Sequence, residues 1–206
     1  MENFGEAAIL CGGKSRRMGF DKSLATVNGV YVIEAIRARL RRVFPTVRLC
    51  IGTKERRERF GRFGLDLVED ATPGGGPAVA ILAALSRAGT RYVFVTGCDM
   101  PLPNPEHIAY MKERIAGMEP PPDAFIPRNG PNIEPLYGFY SVAAVGSFRR
   151  ELEAGRHKLQ GMLDGCDTAY LEEEASRKFD RNLAMFTNLN YKEDFDGFSY
   201  GGAACR

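Results

Sequence analysis

Short apolar runs alternate with amphipathic helical stretches over nearly the whole of this 206-residue chain, and each early run ends in an unusual loop. Ala7–Cys11 is a strand by its length and by the glycines that follow it. Tyr31–Phe44 sets Val32, Ile33, Ile36, Leu40 and Val43 at helical spacing with arginines opposite. The pattern continues with strands at Val47–Ile51, Leu65–Val68 and Tyr92–Val95. Helices are expected at 54–60, Pro77–Ala88 and Pro105–Ala116. Beyond a Pro-rich turn at 118–123, strands are expected at Ala124–Pro127, Pro135–Ser141 and Ala169–Glu173, and helices at 143–154, 157–164 and 191–197. Strands that alternate with helices imply a parallel α/β sheet with right-handed crossovers. Such sheets bind ligands at the carboxyl ends of their strands. The loops 12–22, 70–77 and 96–101 each follow a strand, so all three are expected on that one edge.

Composition narrows the function. No apolar run reaches the roughly 18 residues of a transmembrane helix. The acidic opening Met-Glu-Asn-Phe-Gly-Glu leads into no signal-peptide core, so a cytoplasmic location is expected. Cys11, Cys50, Cys98, Cys166 and Cys205 are odd in number and form no C-x-x-C pair, which argues against a disulfide framework or a structural zinc site. Two histidines are too few for a multi-histidine metal centre. Residues 1–62 carry 14 Lys/Arg against 6 Asp/Glu, whereas the remainder carries 14 against 20. A basic first third points to an anionic ligand. A nucleic-acid duplex is not expected, because the chain has no basic helix or stripe.

Three constellations carry candidate chemistry. In Gly12-Gly13-Lys14-Ser15-Arg16-Arg17-Met18-Gly19-Phe20-Asp21-Lys22, glycines free backbone N–H groups to face an anion, and four cations stand within nine residues. Polyphosphate suits this loop; a solvated basic turn is the alternative. It matches neither the P-loop nor the dinucleotide-binding spacing. In Val95-Thr96-Gly97-Cys98-Asp99-Met100-Pro101, Asp99 stands just past a strand, where it could hold a Mg²⁺–phosphate complex or simply cap a helix or turn. The segment Asp70–Pro77 could wrap a base or sugar, and Gly76-Pro77 opens a helix whose first amides favour anions. Cys98 reads as a buried small thiol and His107 as a residue on the surface of its helix.

In order along the chain, these motifs resemble the molybdenum cofactor guanylyltransferase family of nucleotidyltransferases. Ile9 through Lys22 is similar to that family's opening signature, L-A-G-G-x-S-x-R-M-G-x-D-K. Gly76-Pro77 with Ala80–Leu85 resembles its G-P-x-x-G-[IL] helix start, and Val93–Pro101 its strand ending in x-x-C-D-x-P. Phe186-Thr187-Asn188-Leu189-Asn190 with Glu193-Asp194 resembles its C-terminal F-x-N-[IVL]-N-x-x-E-[DE]. The resemblance covers residues 6 to about 195, and the first signature is the most specific. It implies a Rossmann-like three-layer sandwich with a central, mostly parallel sheet, of the nucleotide-diphospho-sugar transferase type. One domain is expected over residues 1–195, with a disordered tail at 196–206. It also implies transfer of GMP from GTP to molybdopterin with release of pyrophosphate, and Mg²⁺ as cofactor. Transient contact with molybdoenzyme maturation proteins is a further expectation. Carried over by position, Leu10, Gly12 and Gly13 lie against the nucleotide, and Arg17 and Lys22 contact its phosphates or base. Asp70 holds groups near the ribose or base, Asp99 binds the metal, and Asn188 and Asn190 lie on the pterin side. Gly13 favours guanine over cytosine, because cytidylyltransferase relatives carry Ala there. The chain departs from the family pattern at Cys11, at Ile51-Gly52-Thr53 (where an Asn-containing strand end is usual), at Ala80 and at Glu134-Pro135-Leu136. CTP, another phosphorylated acceptor, or a non-catalytic nucleotide-binding role are the alternatives.

Overall fold

A computed structural model describes residues 2–12, 21–70 and 74–200. Its strands are β1 (Glu6–Leu10), β2 (Thr26–Val27), β3 (Val30–Tyr31), β4 (Thr46–Gly52), β5 (Asp66–Glu69), β6 (Tyr92–Gly97), β7 (Ala124–Asn129), β8 (Asn132–Ile133), β9 (Tyr137–Ser141) and β10 (Thr168–Leu171). Its helices are α1 (Val32–Leu40), α2 (Arg57–Gly61), α3 (Pro77–Ser86), α4 (Pro105–Ala116), α5 (Val145–Glu153), α6 (Leu159–Asp164), α7 (Glu173–Arg177) and α8 (Lys192–Gly197). The expected α/β alternation is present, and α4 spans the expected residues.

The central sheet runs β10-β7-β9-β6-β1-β4-β5, with β8 paired to β7. Neighbours are parallel, except that β9 lies antiparallel between β6 and β7 and β8 pairs antiparallel with β7. The sheet is therefore mostly parallel. Every residue of β1 and β6 is buried, as strands covered on both faces require. Their alternate side chains feed two cores. Ala7, Ile9 and Phe94 pack in one, with α1, α4 and the C-terminal segment. Ala8, Leu10, Val93 and Val95 pack in the other, with α3, α5 and α6. Helices on both faces of one sheet make the three-layer sandwich.

Several local features differ from the sequence reading. A small hairpin, β2–β3, turns at Asn28 and Gly29, both at positive φ (52° and 79°). Asn-Gly is the preferred pair for that turn. The strand expected at Ala169–Glu173 ends at Leu171, and α7 begins at Glu173. His107 is fully buried, which corrects its expected surface position. It shares one face of α4 with Ile108, Met111 and Ile115, its Nε2 is 3.0 Å from Ser176 Oγ, and burial pushes its pKa down to about 4. Phe198 and Tyr200, within the expected tail, pack against the first core; residues 201–206 lie outside the described part. No described helix is long and apolar enough to cross a membrane.

Candidate active site

The carboxyl ends of β1 and β6 form the floor of a cleft of about 260 Å³. Leu10, Cys11 and Gly12 line it from β1, Gly97, Cys98 and Asp99 from β6, Asp21, Lys22 and Ser23 from the following turn, and Pro77 and Ala80 from α3. Strand register explains the floor: Leu10 pairs with Gly97, and the Cys98 amide donates to the Leu10 carbonyl at 3.1 Å. Loops from adjacent parallel strands thus meet where the sequence reading placed them.

Lys22 and Asp99 face each other there. Lys22 Nζ stands 3.4 Å from Asp99 Oδ2 and donates to Asn190 Oδ1 at 3.1 Å. The two charged side chains are 20% and 22% exposed, so they remain reachable from solvent. Asp99 is held by its own backbone, since its carbonyl accepts from the Leu189 amide at 2.8 Å. Gly97 leaves room for the carboxylate: a Cβ on Gly97 would stand 2.6 Å from Asp99 Oδ1, closer than real Cβ atoms come. The alternative role for Asp99, a helix cap, is filled by another residue. Asn104 Oδ1 caps α4, accepting from the amides of Glu106 and His107.

Asp70 lies beside this cleft, across Gly12. Its Oδ2 is 3.8 Å from where a Cβ on Gly12 or on Gly52 would stand. Gly52 sits at φ +81° and a Cβ there would be 3.5 Å from the Gly12 Cα, so the two backbones pack face to face. Asp70 Oδ1 is buried and has no hydrogen-bond partner among the described residues, and burial pushes the carboxyl pKa up to about 6, with Arg56 opposing. A second groove, of about 670 Å³, begins at Asp70 and runs between α3 and α5.

Of the residues singled out from sequence, Leu10, Gly12, Lys22, Asp99 and Asn190 come together, and Asp70 adjoins them. Asn188 is exposed, and its side-chain amide donates to the Phe186 carbonyl at 3.1 Å, in its own turn. Gly13 and Arg17, with Lys14 and Arg16, lie outside the described residues. Sequence reasoning missed Arg56, whose guanidinium grips Asp21. No local pattern separates it from Lys54, Arg57 and Arg59 beside it.

The donor set also bears on metal binding. Among the described residues, no three His, Cys, Asp or Glu side chains converge. One accessible carboxylate at an anion-seeking cleft fits a divalent ion that shares its coordination with phosphate oxygens and water. It does not fit a resident cage of protein ligands.

Comparison with known proteins agrees with this layout. The model for the MobA-like NTP transferase domain matches residues 7–176. A molybdenum cofactor guanylyltransferase of Syntrophotalea carbinolica is 36% identical, over 94% of this chain and 90% of its own. The crystal structure of molybdopterin-guanine dinucleotide biosynthesis protein A from Archaeoglobus fulgidus superimposes with a TM-score of 0.80 at 27% identity, covering 93% of this chain and 95% of that one. A 4-diphosphocytidyl-2C-methyl-D-erythritol synthase from Anaerococcus prevotii shares the fold at 14% identity, with a TM-score of 0.66 and coverage of 94% and 93%. With its rim loops, its facing lysine and aspartate and these matches over most of its length, the chain belongs to the MobA-like NTP transferase family.

Proposed function

We propose that this protein is a molybdenum cofactor guanylyltransferase, which transfers GMP from GTP to the terminal phosphate of molybdopterin. The observation that carries the reading is the Lys22–Asp99 pair at the carboxyl rim, 3.4 Å apart and open to the cleft. Relatives bearing that name match nine-tenths or more of the chain, among them the protein from Syntrophotalea carbinolica and one from Peptoclostridium acidaminophilum.

In this reaction an oxygen of the molybdopterin phosphate forms a bond to the α-phosphorus of GTP. The bond from that phosphorus to the α–β bridging oxygen breaks, and pyrophosphate leaves with the electron pair. The attacking oxygen is already anionic near neutral pH, so no general base is needed. The main obstacle is repulsion between two polyanions, and the task of the site is positioning and neutralisation. Lys22 Nζ supplies a point charge to the phosphates, and Arg17 adds a forked one. Asp99 would hold Mg²⁺, which would supply Lewis-acid neutralisation of phosphate charge. Leu10, Gly12 and Gly13 let the nucleotide approach the backbone, and Asp70, whose buried Oδ1 has no partner among the described residues, accepts from base or ribose donors. Asn190 reaches Lys22 from the C-terminal segment, so the acceptor side and the nucleotide side meet at one ammonium. Asn188 completes the pterin side. A cytoplasmic location and transient contact with maturation proteins belong to the same reading.

The test is pyrophosphate release with Mg²⁺, molybdopterin and either GTP or CTP. Release with GTP well above release with CTP supports the proposal. Preference for CTP, or turnover only with a different phosphorylated acceptor, overturns the choice of substrates.

A further inference from the structure

Arg56 does not line the cleft, yet it binds two pieces of chain that do, Cys11 and the turn at Asp21–Ser23, and ties both to β4. Its Nη1 donates to the carbonyl of Cys11, just after β1, and to that of Ile51 in β4 at 3.1 Å. Its Nη2 donates to both carboxylate oxygens of Asp21, at 2.9 and 2.7 Å, and to Ser23 Oγ at 2.6 Å. The guanidinium lies over the Phe60 ring, 4.8 Å from its centre. Asp21 and Ser23 flank Lys22, and Asp21 Oδ1 also caps the turn Lys22–Leu24 by accepting from the Ser23 amide.

We infer that Arg56 is a positioning residue that sets where Lys22 stands relative to the ends of β1 and β4. The inference rests on Lys22 contacting the nucleotide phosphates, as proposed above. Arg56 reaches Lys22 only through its neighbours, so its effect on the nucleotide passes through that turn. A planar fork with several donors can tie separate carbonyls and a carboxylate at once; a lysine ammonium cannot replace it there. The Asp21 carboxylate, the Ser23 hydroxyl and the two carbonyls already engage both terminal nitrogens of the guanidinium. This separates Arg56 from a direct phosphate ligand, whose donors would be turned to the cleft.

The test is a double-mutant cycle with Arg56→Lys and Lys22→Ala, read by calorimetric titration with Mg²⁺-GTP and by KM and kcat for GTP. Arg56→Lys keeps the charge and the stem over Phe60 but loses the fork. It is expected to weaken GTP binding and raise KM by up to about tenfold, no more than the loss of Lys22 itself, while kcat at saturating GTP falls less. In the Lys22→Ala background the same change is expected to add less than about twofold, because the group it positions is gone. A merely structural role would give equal fold losses in both backgrounds, and that result, or an unchanged KM, overturns the inference. Asp21→Asn breaks the same fork from the other side, is expected to show the same non-additivity, and carries the test if Arg56→Lys does not fold. A parent protein that binds GTP while Arg56→Lys binds it equally well rejects this inference alone. A parent protein that binds no GTP rejects the functional reading with it.

Discussion

The two rims of the central sheet carry similar charged residues in opposite states. Near the amino ends, Glu6 is buried at the start of β1, accepts from the Gly89 amide at 2.8 Å and pairs with Arg48. Arg48 continues to Asp66 at 2.8 Å, joining β1, β4 and β5. At the carboxyl ends, Lys22 and Asp99 stand 3.4 Å apart with a fifth of each side chain exposed, and Asp70 keeps a buried oxygen with no hydrogen-bond partner among the described residues. A buried charge that is fully partnered holds strands together. Charges left loosely paired at the other rim of the same sheet keep their field available for a ligand, at a cost in stability. The amino rim is built for cohesion and the carboxyl rim for binding.

The largest effect that sharpens this contrast is expected from Asp99→Ala. Loss of the carboxylate at the binding rim should lower guanylyl transfer by about 10²–10³-fold with the melting temperature nearly unchanged; pyrophosphate release and thermal melting measure the two. Retained activity would remove Asp99 from the chemistry. At the opposite rim the pattern should invert. Glu6→Gln leaves Arg48 facing a neutral amide in a mostly buried site and should cost about 2–3 kcal/mol of stability, with kcat/KM within about twofold of the parent. A denaturant titration that detects no loss would break the comparison. Lys22→Ala comes next, with GTP affinity reduced about tenfold and an unchanged melting curve.

The smallest effect concerns pH. Asp70 titrates at about 6 in the folded chain, above its ordinary 3.8, because burial disfavours its charge. Between those values the folded state holds more protons than the unfolded one, so the Asp70 contribution to stability falls as pH rises through that window. Asp70→Asn removes the slope. Without nucleotide, the variant is expected to be more stable than the parent at pH 8 by about 1 kcal/mol, allowing for solvent screening at this partly exposed group, and equal to it below about pH 4. Melting curves across pH that stay parallel would show that burial does not penalise this carboxylate.

Much of the site was legible because the relevant patterns are local. Gly12 and Gly97 end apolar runs, and the rule that parallel strands present their carboxyl ends together brings Lys22 near Asp99 without knowledge of any contact. Two features went unread although their signals are present. Asn28-Gly29 is a hairpin turn signature, and His107 shares a helical stripe with Met111 and Ile115; a histidine in that stripe invites a surface reading that spacing alone contradicts. Arg56 had no such signal. It is one of several cations in a short segment, and only its position over Phe60, within reach of Asp21, distinguishes it.

By itself the sequence determined the alternation of the main strands and helices, the α/β class with a parallel sheet, and the placement of cations after β1 and a carboxylate after β6. These follow from periodicity and turn chemistry within a few residues. Only the tertiary structure decided that β9 enters antiparallel between β6 and β7, that Asn190 reaches Lys22 from 168 residues away, and that Arg56 grips the turn before it. Such pairings depend on which surfaces are buried against one another in the finished sheet, and no short stretch of chain encodes that.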